Sequence, residues 1–135
     1  MPAKAYSLLI VDDQAGVRRF LAEVFGEEGY HVETACSGAE AVNKAIASRP
    51  SLVLLDIKMP GMNGLDTLEE LGKIVPGVPV VMMTAYGELD IVTEAKRRGV
   101  KHYINKPFDL NEVRCLVKEL LITREERIFT RKEIG

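Results

Sequence analysis

The chain has 135 residues, 47% of them apolar and 28% charged, with a formal net charge of −2. That suits one globular domain, able to bury about two thirds of the surface its unfolded chain exposes, and the weak charge gives no footing for nucleic acid or an anionic membrane. No apolar run approaches the ~20 residues of a membrane span, and Met1-Pro2-Ala3-Lys4 lacks a signal peptide's apolar stretch, so a cytoplasmic protein is expected.

Leu8-Leu9-Ile10-Val11 is a continuously apolar strand that closes on Asp12-Asp13. Between Asp13 and Gly29, the residues Val17, Phe20, Leu21, Val24 and Phe25 recur at the spacing of a core-facing helix. Gly29 stands where a left-handed C-terminal cap belongs. His31 to Ala35 alternates, as a half-buried edge strand does, with Val32 and Thr34 on one side. Ser37-Gly38 opens a helix over 39–48 with Val42, Ala45 and Ile46 inward, and Pro50 ends it by disfavouring helical backbone at Arg49. Leu52 to Leu55 is another continuously apolar strand, closing on Asp56. The loop Lys58-Met59-Pro60-Gly61-Met62-Asn63-Gly64 leads to a helix with Leu65, Leu68, Leu71 and Val75 inward, broken by Pro76-Gly77.

Val80 to Met83 makes a fourth strand, ending in Thr84. The helix 88–98 has the thinnest stripe, Leu89, Val92 and Ala95 with Ile91 off to one side, and is stopped by Gly99. A short strand, 102–104, leads through Lys106-Pro107 into a last helix starting near Asp109, with Val113, Leu116, Val117, Leu120 and Leu121 inward. The charged stretch 123–135 reads as an extension of that helix. One domain, 1–135, is therefore expected, with its core at about 6–122. Cys36 and Cys115 form no CxxC or Cys/His cluster and read as small, semi-buried apolar residues. His31 and His102 read as ordinary edge-strand histidines.

Strands alternating with helices imply right-handed crossovers and a parallel sheet. Placing the two short, mixed strands at the edges gives the order 2-1-3-4-5, a doubly wound, five-stranded, flavodoxin-like (βα)5 α/β fold. Its switch point lies between strands 1 and 3, where Asp12, Asp13 and Asp56 end their strands. Each candidate has an ordinary explanation alone. Asp13 suits a helix N-cap, Asp56 a strand-end turn, Thr84 a strand and Lys106 a solvated position. Their joint arrival at one rim favours a site.

Buried carboxylates require a cation or a reaction. Mg2+ takes oxygen ligands and keeps several waters. Asp13 and Asp56 are candidate direct ligands, Asp12 direct or through water, and the Lys58 backbone carbonyl a further one, with Mn2+ as an alternative ion. A carboxylate can also attack phosphorus to form an acyl phosphate. Asp56, alone on the central strand, is the candidate nucleophile. The metal, the Lys106 ammonium and the Thr84 hydroxyl would offset charge on the phosphoryl oxygens.

Ile10-Val11-Asp12-Asp13, Leu54-Leu55-Asp56, Met59-Pro60-Gly61-Met62-Asn63-Gly64, Met83-Thr84-Ala85 and Lys106-Pro107-Phe108 together resemble the receiver domain of two-component response regulators. The resemblance implies an aspartyl phosphate at Asp56, Mg2+ dependence, and a phosphohistidine donor on a histidine kinase or histidine phosphotransfer protein. It also implies a cis Lys106-Pro107 bond and a Thr84–Tyr103 switch. Such a protein is a phosphoacceptor rather than an enzyme, taking part in its own phosphorylation and slow autodephosphorylation. Val11-Asp12-Asp13-Gln14, Val24-Phe25, Glu28-Gly29-Tyr30 and Met83-Thr84-Ala85-Tyr86-Gly87-Glu88-Leu89-Asp90 resemble stand-alone receivers of the Bacillus sporulation phosphorelay type, which makes a relay intermediate the expectation. A receiver joined to a DNA-binding or other effector is the alternative.

Lys58 and Tyr86, two positions beyond Asp56 and Thr84, are expected to overhang the acyl phosphate and slow its hydrolysis. Gln14, Ala15, Val17, Arg18 and Leu21, with Pro107 and Phe108, are the candidate docking residues for a partner's helical bundle. Two enzyme readings fail on sequence. A haloacid-dehalogenase-like phosphatase needs a second Asp where Lys58 stands, and a dinucleotide site needs a glycine fingerprint where Asp12-Asp13-Gln14-Ala15-Gly16 stands.

Overall fold

The structure, a computed structural model, describes residues 6–57, 64–85 and 89–134, with side chains described as far as Thr123. Five strands alternate with five helices: β1 (Ser7–Val11), α1 (Ala15–Glu27), β2 (His31–Ala35), α2 (Gly38–Ser48), β3 (Leu52–Asp56), α3 (Gly64–Ile74), β4 (Val80–Ala85), α4 (Leu89–Arg97), β5 (His102–Lys106) and α5 (Leu110–Ile134). All strand pairs are parallel, in the order β2-β1-β3-β4-β5. Every residue of β3 is buried, whereas the edge strand β2 fully buries only Ala35 and β5 only Ile104. The continuously apolar runs thus mark the centre of the sheet. No helix among the described residues is long and apolar enough to cross a membrane.

Strand alternation divides the core in two. Leu9, Val11, Val53, Leu55 and Met82 face α2, α3 and α4 through Ala41, Ala45, Leu68, Leu71, Val92 and Ala95. Leu8, Ile10, Leu52, Leu54, Val81, Met83 and Ile104 face α1 and α5 through Leu21, Phe25, Val113, Val117 and Leu121. A fully buried Leu, Ile or Phe contributes about 1.5–3 kcal/mol, so these two layers are the main source of stability.

Helix ends follow from local chemistry. After α1, Gly29 sits at φ 95°. The Gly29 N–H donates to the Gly26 carbonyl and the Tyr30 N–H to the Phe25 carbonyl, both at 3.1 Å. That pair of bonds is a Schellman cap, and its apolar contact is the Phe25–Tyr30 edge-on ring pair, with centroids 5.7 Å apart. At the start of α2, Ser37 Oγ accepts from the Glu40 N–H, and Glu40 Oε1 accepts from the Cys36 N–H. Arg49, held out of helical backbone by Pro50, adopts a left-handed φ of 46°.

The buried helix faces are narrower than sequence spacing implies. Phe20 is 47% exposed, Ile46 57% and Leu89 76%, although each was expected inward. A helix lying on a sheet buries mainly one i, i+4 row. In α1 that row is Leu21 and Phe25, flanked by Val17, and Phe20 is about 100° off it. In α2 the row is Ala41 and Ala45, which leaves Ile46 outside. In α4 the contact arc leans toward Ile91, which packs on the core, so Leu89 lies on the exposed flank. Cys36 and Cys115 are both exposed rather than semi-buried, the first in the turn after β2 and the second on the outer side of α5.

Candidate functional site

The acids meet at the C-terminal rim between β1 and β3. Asp12 follows β1 and is fully buried, Asp56 ends β3 at 6% exposure, and Asp13 is exposed. One carboxylate oxygen from each lies within 4.8 Å of the other two. Asp12 is held at three further points. Its backbone N–H donates to Ala35 O (3.1 Å), its Oδ1 accepts from the Gln14 N–H (2.9 Å), and its carbonyl accepts from the Arg18 guanidinium (2.7 Å). The N-cap of α1 is Gln14, without a side-chain cap. Asp13 is therefore not the cap, and its carboxylate stays at the rim.

Lys106, at the end of β5, reaches across the rim. Its Nζ donates to Asp12 Oδ2 at 2.5 Å and stands 3.5 Å from Asp56 Oδ2. Burial alone would lower the pKa of this ammonium. The hydrogen bond to Asp12 and the charges of Asp56 and Asp12 outweigh it, so the pKa is raised above the usual lysine value. The side chain enters from the α1/α5 face, as Ile104 does, and the Lys106-Pro107 bond after it is cis.

Thr84, at 1% exposure, is carried on the opposite face of β4, with Met82. Its hydroxyl donates to Asn105 Oδ1 at 3.2 Å. Asn105 escaped sequence reasoning because only the parallel register, which pairs Thr84 with Asn105, brings them together. Tyr103 points outward, 40% exposed, with Lys96 Nζ 4.9 Å from its ring centroid. Lys58, including its carbonyl, and Tyr86 lie outside the described residues.

Of the candidate docking residues, Gln14, Ala15 and Pro107 are exposed, while Arg18 is half-buried against Asp12. Phe108 and Val17 pack partly on the α1/α5 core layer. Leu21 is fully buried at the centre of the α1 row, so it belongs to the core and to no docking surface.

Among the described residues, three carboxylates against one ammonium leave the cluster net negative. Its donors are hard oxygens of the kind Mg2+ takes, and three of them are near enough to share one ion. A divalent cation therefore fits these residues. A carboxylate faced by both an ammonium and a metal site is suited to accepting a phosphoryl group.

Comparison with known proteins agrees. A family model described as the response regulator receiver domain matches residues 8–118. The chain is 46% identical to sporulation initiation phosphotransferase F of Bacillus subtilis (strain 168) over 114 residues, 84% of this chain and 92% of that protein. It is 40% identical to the regulatory protein AtoC of Escherichia coli (strain K12) over 84% of this chain, but spans only 25% of that longer protein. The crystal structure of a CheY-like response regulator receiver domain protein from Methanospirillum hungatei JF-1 superposes with a TM-score of 0.87 at 31% identity, covering 92% of this chain and 99% of that one. The chain belongs to the response regulator receiver domain family.

Proposed function

We propose that this receiver takes a phosphoryl group from a phosphohistidine, on a histidine kinase or histidine phosphotransfer protein, onto the carboxylate of Asp56. We propose further that it passes the group onward as a phosphorelay intermediate. The observation that carries the acceptor role is Lys106 Nζ, 2.5 Å from Asp12 and 3.5 Å from Asp56, inside a three-carboxylate cluster. Support for the relay role is the match to nearly the whole of sporulation initiation phosphotransferase F.

In this scheme an Asp56 carboxylate oxygen attacks phosphorus in line. The P–O bond forms as the P–N bond to the donor imidazole breaks; the bonding pair returns to the ring nitrogen, and the ring, carrying a proton on its other nitrogen, leaves as neutral imidazole. Lys106, its pKa held up by the acids, stays a cation and receives one phosphoryl oxygen. Thr84 supplies a hydroxyl to a second oxygen. Asp12, Asp13 and Asp56, with the Lys58 backbone carbonyl, would hold Mg2+ or Mn2+. Such an ion supplies charge neutralisation at the phosphoryl oxygens. The exposed Gln14, Ala15 and Pro107, with Arg18 and Phe108 beside them, form the surface proposed to meet the donor.

The match to a quarter of AtoC favours a second arrangement, a receiver working for a linked effector. Incubation with a 32P-labelled phosphohistidine protein, followed by an unlabelled acceptor, separates the two. The expected result is acid-labile, Mg2+-dependent label on the wild type and none on Asp56→Asn, with onward and reverse transfer at comparable rates. Label that forms but does not move on favours the effector arrangement. No label on the wild type overturns the acceptor role.

A further inference from the structure

Thr84 is 1% exposed, so its hydroxyl is cut off from water and needs a partner within the protein. That partner lies on the flank of β4 away from Asp56. The sheet order β3-β4-β5 puts Asp56 on one side of β4 and Asn105 on the other, and the hydroxyl donates to Asn105 Oδ1. The register aligns Thr84 with Asn105, so both side chains leave the sheet on the same face. Asp56 aligns with Met83, one position earlier and therefore on the opposite face. The dependence is one-sided, because Asn105 is exposed and can turn to water.

A hydroxyl has a single hydrogen to donate. Thr84 cannot hold Asn105 and a phosphoryl oxygen at once. We propose that Asn105 is a positioning residue for the acceptor site, a latch whose side-chain carbonyl keeps the Thr84 hydroxyl toward β5 until a phosphoryl group on Asp56 draws it away. The latch rests on the phosphoacceptor role of Asp56 proposed above. When it opens, Thr84 exchanges a neutral acceptor for an anionic one, and charge-assisted bonds are the stronger kind. Removing Asn105 leaves a buried, unpartnered hydroxyl in the unphosphorylated protein and takes nothing from the phosphorylated one. Asn105→Ala should therefore favour the phosphorylated state by about fivefold, the worth of one neutral hydrogen bond.

Beryllofluoride, a non-covalent phosphoryl mimic, reads this directly when titrated in Mg2+ against the full chain. The comparison needs the wild type, Asn105→Ala, Thr84→Ala and the double variant. The expected result is about fivefold tighter binding for Asn105→Ala over wild type, and no difference between Thr84→Ala and the double variant. The latch is overturned if Asn105→Ala binds no more tightly. It is equally overturned if the gain persists without the Thr84 hydroxyl, since Asn105 would then act through general structure. A wild type that neither binds beryllofluoride nor incorporates phosphate from a phosphohistidine protein would instead overturn the acceptor role of Asp56, and the latch with it.

Discussion

Lys106 is the residue on which the unphosphorylated rim depends, because it is the ammonium that meets both buried acids. Lys106→Met leaves fully buried Asp12 without its charged partner, and a hydrogen bond to a charged group is worth about 1.5–3 kcal/mol. Urea unfolding at neutral pH should show a loss of that size. The pH dependence has a definite sign. The folded-state pKa of Lys106 is raised, so its contribution is fully present below the unfolded value of about 10.5 and is lost as pH rises through the folded value. Wild type and variant should therefore converge in stability above about pH 10.5. A gap that stays constant into strong alkali would refute the coupling. Tyr103 makes the opposite case. At 40% exposure under Lys96 it contributes little to the resting fold, about 0.5–1 kcal/mol from the cation–π contact. If it moves with Thr84, Tyr103→Ala should blunt the effect of phosphorylation on partner affinity while hardly shifting the unfolding midpoint. Titrating a partner with both forms of the variant checks this, and an undiminished response would remove Tyr103 from the switch.

At the scale of elements, the strands were more legible than the helices. Uninterrupted apolar runs such as Leu52 to Leu55 have no polar face to offer solvent, so they had to be central, and the sheet order followed. Helix stripes are less diagnostic. A side chain about 100° from the packed row reads as apolar in sequence whether or not a neighbour covers it, which is why spacing predicts Phe20 and Ile46 inward. Small residues carry the opposite bias: Ala41 joins the expected Ala45 in the α2 contact, although its larger neighbours look more like core. Gly64 is a sharper case of size at an element boundary. Its N–H donates to Ile57 O at 3.0 Å, and an added Cβ would come within 2.4 Å of the Ile57 Cα and carbonyl oxygen. The obstacle is backbone, which cannot rotate aside. Gly64→Ala should displace the segment that follows Asp56, costing about 1–3 kcal/mol by chemical denaturation and slowing phosphorylation from any donor. A variant with wild-type stability and rate would show that the connection from β3 to α3 yields freely.

For the whole molecule, the convergence of Asp12, Asp13 and Asp56 was legible because topology alone carries strands 1 and 3 to the same rim. What hydropathy could not give was the wiring at that rim. The Arg18 bond to the Asp12 carbonyl and the Thr84–Asn105 pair depend on register and rotamer, and neither leaves a trace in apolar spacing. The convergence has a thermodynamic consequence for the fold. Folding brings Asp56 within 4.8 Å of the neighbouring pair Asp12 and Asp13, with one ammonium among the described residues to meet them, whereas the unfolded chain leaves Asp56 apart from that pair in water. Part of the stability supplied by the two core layers is therefore spent on confining like charge. A divalent ion that binds this cluster and not the unfolded chain should return it, by about 2.7 kcal/mol at a concentration one hundred times its dissociation constant. Calorimetry should show the Tm rising with the logarithm of Mg2+ concentration. In Asp13→Ala, which removes an exposed acid from the cluster, the metal-free Tm should rise above wild type while the dependence on Mg2+ flattens. The two changes share one cause, the field of the crowded carboxylates, and must appear together. A variant that loses the Mg2+ response without gaining metal-free stability would mean that the acids are not straining the fold, and that Lys106 alone already balances them.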